Sequence, residues 1–113
     1  QTGKDQARMV TTHYFETPAI SFLNQLDNNP HCWKLRFDWC LSNASPFQSA
    51  YHILDLVFWF GKLEILKAHG VNSLEHERHL SKHMIDDLIY FATYHTMPWP
   101  SYSPQTPYCY IYK

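Results

Sequence analysis

The most regular hydrophobic pattern in the chain is a strict alternation over residues 33–41. A repeat of two predicts a β-strand with one buried face and one solvated face. Residues 7–15 are rich in β-branched and aromatic side chains, so they predict a second strand that could pair with the first. The segment 108–112 also alternates and predicts a short closing strand. The apolar set of the first strand is Trp33, Leu35, Phe37, Trp39 and Leu41.

Three segments carry helical signals. Thr17-Pro18 is an N-cap followed by proline at the first helical position, which predicts a short helix ending near Leu26. Ser45-Pro46 repeats this signal and opens a long helix over 46–69, with Gly70 beyond its end. Ser73 is the predicted cap of a second long helix, 73–95. Because a short loop joins the two long helices, we expect an antiparallel hairpin.

The predicted fold class is therefore α+β, with a small, mostly antiparallel sheet packed against a helical hairpin. A length of 113 residues fits one domain. We expect residues 1–113 to form a single domain with a Pro/Tyr-rich C-terminal segment, 97–113. Prolines at 98, 100, 104 and 107 exclude a helix in that segment.

Composition narrows the classes of function. Charged residues are 17% of the chain, below the typical value of about 25%, and aromatic residues are also 17%. These values argue against intrinsic disorder, and a net charge of −1 argues against a nucleic-acid partner. No apolar run is long enough to cross a membrane. Three widely spaced cysteines without a Cys-x-x-Cys pair suit a cytoplasmic protein with reduced thiols.

These features favour a small non-catalytic protein that binds another protein, in the manner of an inhibitor or immunity module, with no cofactor. Tyr and Trp are enriched at protein interfaces, and a carboxylate inside an apolar run needs a partner. A homodimer is also open, because the first long helix is apolar nearly all round. The candidate binding residues are Asp55, Trp59, Trp99, Tyr102 and Tyr108.

A second hypothesis is a metal site on the second long helix. His76, His79 and His83 follow one another at i, i+3 and i+7, and Asp87 lies four residues further on. This spacing places the four side chains along one stripe, which suits zinc or another divalent metal. A solvated helix face is the competing interpretation, because charged residues are interspersed along the same stripe.

A third hypothesis concerns ribonuclease chemistry. Arg78 and His83 form an R-x4-H pattern, which resembles the active-site motif of the all-helical HEPN ribonucleases. The resemblance implies that Arg78 polarises a scissile phosphate and that His83 activates a ribose hydroxyl. Arg8 and His13 have the same spacing, so the pattern recurs within this chain.

Overall fold

The protein is described by a computed structural model that covers residues 2–26, 29–40 and 53–113. Most of these residues are helical, and two short strands form one sheet. The helices are α1 (Gly3–Thr11), α2 (Thr17–Gln25), α3 (Leu54–Trp59), α4 (Glu64–Ala68) and α5 (Glu75–Tyr94), with a π-helical turn at Thr12–Glu16 between α1 and α2, and the strands are β1 (Leu35–Phe37) and β2 (Tyr110–Tyr112).

The N-terminal segment is helical, so the predicted strand over 7–15 is wrong. The helix starts at a capping box, in which the Thr2 hydroxyl accepts from the Asp5 backbone N–H and the Asp5 carboxylate accepts from Thr2. Hydrogen bonds that the Thr2 hydroxyl and then the Thr2 backbone N–H donate to this carboxylate lower the pKa of Asp5. The β-branched and aromatic residues that follow continue this helix, because strand preference depends on a partner strand.

Pro18 lies inside a continuous helical stretch rather than at its start. Proline has no N–H to donate to the carbonyl four residues back, and its ring would clash with that carbonyl in a regular α-helix. The π-helical turn immediately precedes Thr17 and Pro18, where the helix has to accommodate this missing bond. The predicted end near Leu26 is confirmed.

The sheet is parallel, so the predicted antiparallel sheet is wrong. β1 pairs with β2 in the register Leu35↔Tyr110 and Phe37↔Tyr112. Hydrogen bonds from the Tyr110 N–H to the Lys34 carbonyl (3.0 Å) and from the Asp38 N–H to the Tyr112 carbonyl (2.8 Å) extend the ladder. A parallel pair needs a long crossover connection, and α3, α4 and α5 lie within it. The predicted closing strand is confirmed at β2, and the strand predicted over 33–41 is reduced to β1.

The predicted helical hairpin is correct only in its second arm, α5. Residues 46–52 of the first arm lie outside the described residues, and the remainder forms two short helices, α3 and α4. Gly61 separates these helices with a φ of +64°, a conformation that ends a right-handed helix and favours glycine. Gly70 follows α4 with a φ of +97°, as its predicted position beyond the helix requires.

The core lies between α5 and the elements around it. Among the described residues, the largest fully buried side chains are those of Phe58 from α3, Leu66 from α4, Met84 from α5 and Tyr112 from β2. The ring of Trp39 lies 5.2 Å from that of Phe58, which joins the residues after β1 to α3. Within the described part of the chain, no helix combines the length and apolarity needed to span a bilayer.

The fold is flattened rather than spherical. Its extents are 44 × 41 × 16 Å and its radius of gyration is 15.8 Å, against about 13 Å for a compact domain of this length. The stretch 3–25 contributes no buried residue. Val10, Tyr14 and Phe22 are all more than half exposed on it. The chain therefore leaves a considerable apolar surface uncovered.

We predict that Gly70→Ala lowers the free energy of unfolding by about 1–2 kcal/mol, because an L-residue is strained at this positive φ. A Cβ at Gly70 would meet no atom within 4 Å, so the loss comes from the backbone alone. Gly3→Ala is the matched control, since Gly3 is helical and equally open, and it should be neutral or slightly stabilising. Urea titrations measure both, and equal effects would contradict the strain argument.

Candidate functional site

A polar network connects α5 to β2. The Tyr112 hydroxyl donates to Asp87 Oδ2 at 2.6 Å, and His83 Nε2 lies 3.1 Å from the same oxygen. The Tyr110 hydroxyl is 3.3 Å from His83 Nε2. Asp87 is buried and His83 is half exposed, so the imidazole lies on the solvent side of the network. A carboxylate beside an imidazole is an arrangement that can hold and transfer a proton.

The two tyrosines are held in their protonated form. Burial raises the pKa of Tyr112 strongly, and its hydrogen bond to the Asp87 carboxylate raises it further. Burial, followed by the charge of Asp87, also raises the pKa of Tyr110. Both effects disfavour a phenolate beside a buried carboxylate. Tyr112 is therefore a permanent hydrogen-bond donor to Asp87 at neutral pH.

The structure brings together only two of the four predicted metal ligands, His83 and Asp87. His76 and His79 lie nearer the start of α5, beside a shallow surface depression. Among residues 2–26, 29–40 and 53–113, no three His, Cys, Asp or Glu side chains converge to hold a metal ion. The positions of these side chains thus add no support to the metal-site prediction.

Arg78 and His83 have different partners. Arg78 lies 3.8 Å from Glu64 of α4 in an exposed ion pair, whereas His83 contacts Asp87 and Tyr110. The two residues of the R-x4-H pattern therefore lie in different surroundings. Arg78 is in a surface ion pair, and His83 is in the polar network between α5 and β2.

Several predicted binding residues pack within the protein. Trp99 is buried and stacks on Tyr110, with ring centroids 4.6 Å apart. Tyr102 is buried and donates to Asn24 Oδ1 at 2.9 Å, which ties the C-terminal segment to α2. These residues fix the C-terminal segment in place. Trp59 is half buried against Tyr112. Asp55 is half buried in the first turn of α3, and Tyr108 is exposed.

An open cavity of about 400 Å³ lies between α2, α5 and the segments that flank the sheet. Its walls are almost entirely apolar, so it suits an apolar group of a ligand or side chain. Two of the predicted binding residues line it. The principal lining residues are Phe22, Leu26, Trp33, Trp59, Phe91 and Trp99.

Two polar residues on the buried face of α5 were not singled out from the sequence. The Glu77 carboxylate accepts from Trp39 Nε1 at 3.1 Å, and the Ser81 hydroxyl donates to the Phe58 carbonyl at 2.6 Å. Both side chains are buried. A signal for them exists, because they occupy the same helical register as the apolar residue Met84. A polar residue in an apolar register indicates a specific buried partner.

We predict that the free energy of unfolding falls as the pH rises above about 10. The folded state raises the pKa of Tyr112, so its stabilising contribution is complete below the unfolded pKa. That contribution is lost as the pH rises from the unfolded pKa toward the folded one. Tyr112→Phe should be less stable at pH 7 by about 1 kcal/mol, since it removes one of the two partners of the buried Asp87 Oδ2, and its stability should fall less steeply at alkaline pH. Urea titrations between pH 7 and 11 test this, with Tyr108→Phe as an exposed control.

Comparison with known proteins identifies one relative among curated proteins and a matching solved structure. Para-nitrobenzyl esterase of Bacillus subtilis (strain 168) is 28% identical over 109 residues, which cover 91% of this chain and 22% of the esterase. A structure of PNB esterase superposes with a TM-score of 0.84 at 28% identity, over 99% of this chain and 24% of the other. No protein-family model matches the chain. The chain thus spans less than a quarter of the length of the proteins it resembles.

This similarity corrects two sequence predictions. The fold matches part of an esterase of the α/β-hydrolase class, and not an antiparallel sheet on a helical hairpin. The predicted inhibitor-like, non-catalytic binding module is also wrong, because the relative and the structural neighbour are both esterases. The names of the similar proteins give no support to the alternatives of a histidine-helix metalloprotein and a HEPN-like ribonuclease.

Proposed function

We propose that this chain is part of a carboxylic-ester hydrolase with an α/β-hydrolase fold. The observation that carries the proposal is the superposition on PNB esterase, at a TM-score of 0.84 over 99% of the chain with 28% identity. A structural match over nearly the whole chain, together with 28% sequence identity, indicates more than a packing arrangement that unrelated proteins share. The relative's printed name supplies the substrate class to test, which is an ester of para-nitrobenzyl alcohol.

The fold supports membership of a larger sheet. Parallel strands occur almost only in sheets whose two faces are covered by helices, and a two-stranded sheet is too small to be stable alone. β1 and β2 form such a pair, and the exposed apolar residues Val10, Tyr14 and Phe22 suit a surface covered by further protein. Both features fit a chain that packs against the remainder of a hydrolase.

This chain contributes only part of the catalytic machinery. The nucleophile of α/β-hydrolases lies in a G-x-S-x-G turn, and the glycines Gly3, Gly61 and Gly70 form no such motif. In this fold the triad follows the chain order serine, acid, histidine. The chain has eight histidines and no nucleophile turn, and we assign it the role of supplying the histidine base.

His52 is the histidine that best fits this role. In α/β sheets, reacting groups lie beyond the carboxyl ends of the strands, and His52 is the first histidine in the sequence after β1. Residue 52 itself lies outside the described residues, so the assignment rests on its place in the sequence. His83 has a carboxylate partner, but it lies on α5, a helix that packs beside the sheet.

The assigned step is general base catalysis. The imidazole removes the proton of the serine hydroxyl as the oxygen attacks the ester carbonyl, and then donates it to the departing alcohol. The same imidazole activates water to release the acid from the acyl-enzyme. The serine, its oxyanion donors and the triad acid would come from other parts of the hydrolase.

A hybrid enzyme tests the proposal. The matched segment of the Bacillus subtilis esterase is replaced by this chain, and hydrolysis of para-nitrobenzyl acetate is followed by release of the alcohol. We expect measurable turnover, and a loss of about 10³-fold in kcat for His52→Asn because the base is removed. His83→Asn is the matched control and should change kcat by less than about threefold.

Circular dichroism and a cooperative melt establish that each hybrid is folded. A folded hybrid without turnover would contradict the proposal, as would a His52→Asn variant with full activity. If the covalent hybrid does not fold, the 113-residue chain is supplied in trans to the esterase that lacks the matched segment. If neither form hydrolyses the ester, this chain cannot replace the matched segment of the esterase, and the proposal is rejected.

A further inference from the structure

The apolar cavity lies at the amino end of the two-stranded sheet. Trp33 and Leu35 line it where the chain enters β1, and Trp99 lines it from the segment that leads to β2. Because the two strands are parallel, these segments approach the sheet at the same end. Phe22 from the second half of α2 and Phe91 from the second half of α5 complete the walls. The cavity is therefore built by several elements that converge.

Contacts within the protein hold its aromatic walls in place. The ring of Trp33 meets that of Phe91 edge to face, with centroids 5.9 Å apart. The indole of Trp99 stacks on Tyr110 at 4.6 Å. Pre-formed walls of this kind are typical of small-molecule sites, which enclose about 300–1,000 Å³. The volume of about 400 Å³ lies within that range.

The chemistry of the lining favours an uncharged aromatic ligand. No Lys, Arg, Asp or Glu side chain lines the cavity in the described parts of the chain, and His31 and Cys32 are the residues there that can ionise. A charged group would lose its hydration in the cavity without gaining a partner. An aryl ring, in contrast, packs well against indole and phenyl rings in edge-to-face or offset contacts.

One polar atom of a lining residue lacks a partner. The Nε1–H of Trp99 is buried, and no described residue accepts a hydrogen bond from it. The whole side chain is only 7% exposed. Buried donors are almost always paired, because an unpaired donor loses its hydration without compensation. A ligand oxygen would supply the acceptor once the indole tilts toward the cavity that it lines.

We propose that this cavity is a binding site for an uncharged arylalkyl compound that carries a carbonyl oxygen. The aryl ring packs against Trp33 and Phe91, and the carbonyl oxygen accepts a hydrogen bond from Trp99 Nε1. This inference does not rest on the proposed function, because binding at this site requires neither a nucleophile nor a base.

The first test is an NMR titration of the 113-residue chain with benzylacetone, an uncharged arylalkyl ketone that an esterase cannot hydrolyse. The chain has four tryptophans, and single Trp→Phe variants assign their indole N–H signals. We expect the signals of Trp33, Trp59 and Trp99 to shift to saturation. The signal of Trp39 should stay in place, because Trp39 does not line the cavity. The absence of a saturable shift would overturn the proposal.

The second test isolates the hydrogen bond. Trp99→Phe retains an aromatic ring and removes the donor. Its affinity is measured for benzylacetone and for isopentylbenzene, in which a methyl group replaces the carbonyl oxygen. Both probes lose the same packing, so the affinity for benzylacetone should fall about 5- to 10-fold more than that for isopentylbenzene. Equal losses for the two probes would contradict the role of the Trp99 N–H.

A third test places the probes in the cavity. Leu88 lines the cavity and is half exposed, so Leu88→Arg adds a charge to the apolar wall without disturbing the core. We expect it to weaken binding of both probes by about tenfold or more. Ile89→Arg is the matched control, because Ile89 is exposed on the same helix and does not line the cavity. Equal binding by the two variants would show that the probes bind elsewhere.

Two other occupants are distinguished by the same variants. A chain that binds no probe, and that sediments as a dimer which Leu88→Arg dissociates, would assign the cavity to a second copy. A hybrid enzyme that binds no probe in equilibrium dialysis, and whose cooperative melt is lost on Leu88→Arg, would assign the cavity to the remainder of the hydrolase. Either result would overturn the ligand site.

Discussion

The burial of one face of α5 is the interaction on which the other elements depend. Met84 on this face is fully buried, and Leu80 lies beside it. The contacts of the face reach α3, β2 and Trp39, two residues beyond the carboxyl end of β1. Without this helix, the two parallel strands would have neither a covered face nor a fixed crossover, and a parallel pair requires both.

The polar side chains on that face are as important as the apolar ones. Glu77, Ser81 and Asp87 are buried, and their hydrogen-bond partners lie in three different parts of the chain: the segment after β1, α3 and β2. An apolar face can pack against its neighbours in several related ways, whereas a directed hydrogen bond has one satisfactory geometry. These three residues therefore specify where the surrounding elements lie, while the apolar side chains supply most of the stabilisation.

Two parts of the exposed surface are apolar. The N-terminal helical stretch and the open cavity present apolar side chains that this chain does not cover. Such a distribution is costly for an isolated small domain, but it is natural for a part of a large α/β protein.

The sequence by itself determined the features that depend on local chemistry. The second long helix, the end of the first helical stretch near Leu26, the glycine beyond α4 and the closing strand were all predictable from periodicity, capping and backbone preference. It also placed His83 and Asp87 on one stripe, because i, i+4 spacing on a helix is a local property. Only the tertiary structure decided that residues 7–15 are helical, that the strands are parallel, and that Trp99 and Tyr102 are buried. These outcomes depend on partners distant in the chain. A β-branched segment forms a strand only if another strand receives it, and an aromatic side chain is a surface residue only if nothing packs over it.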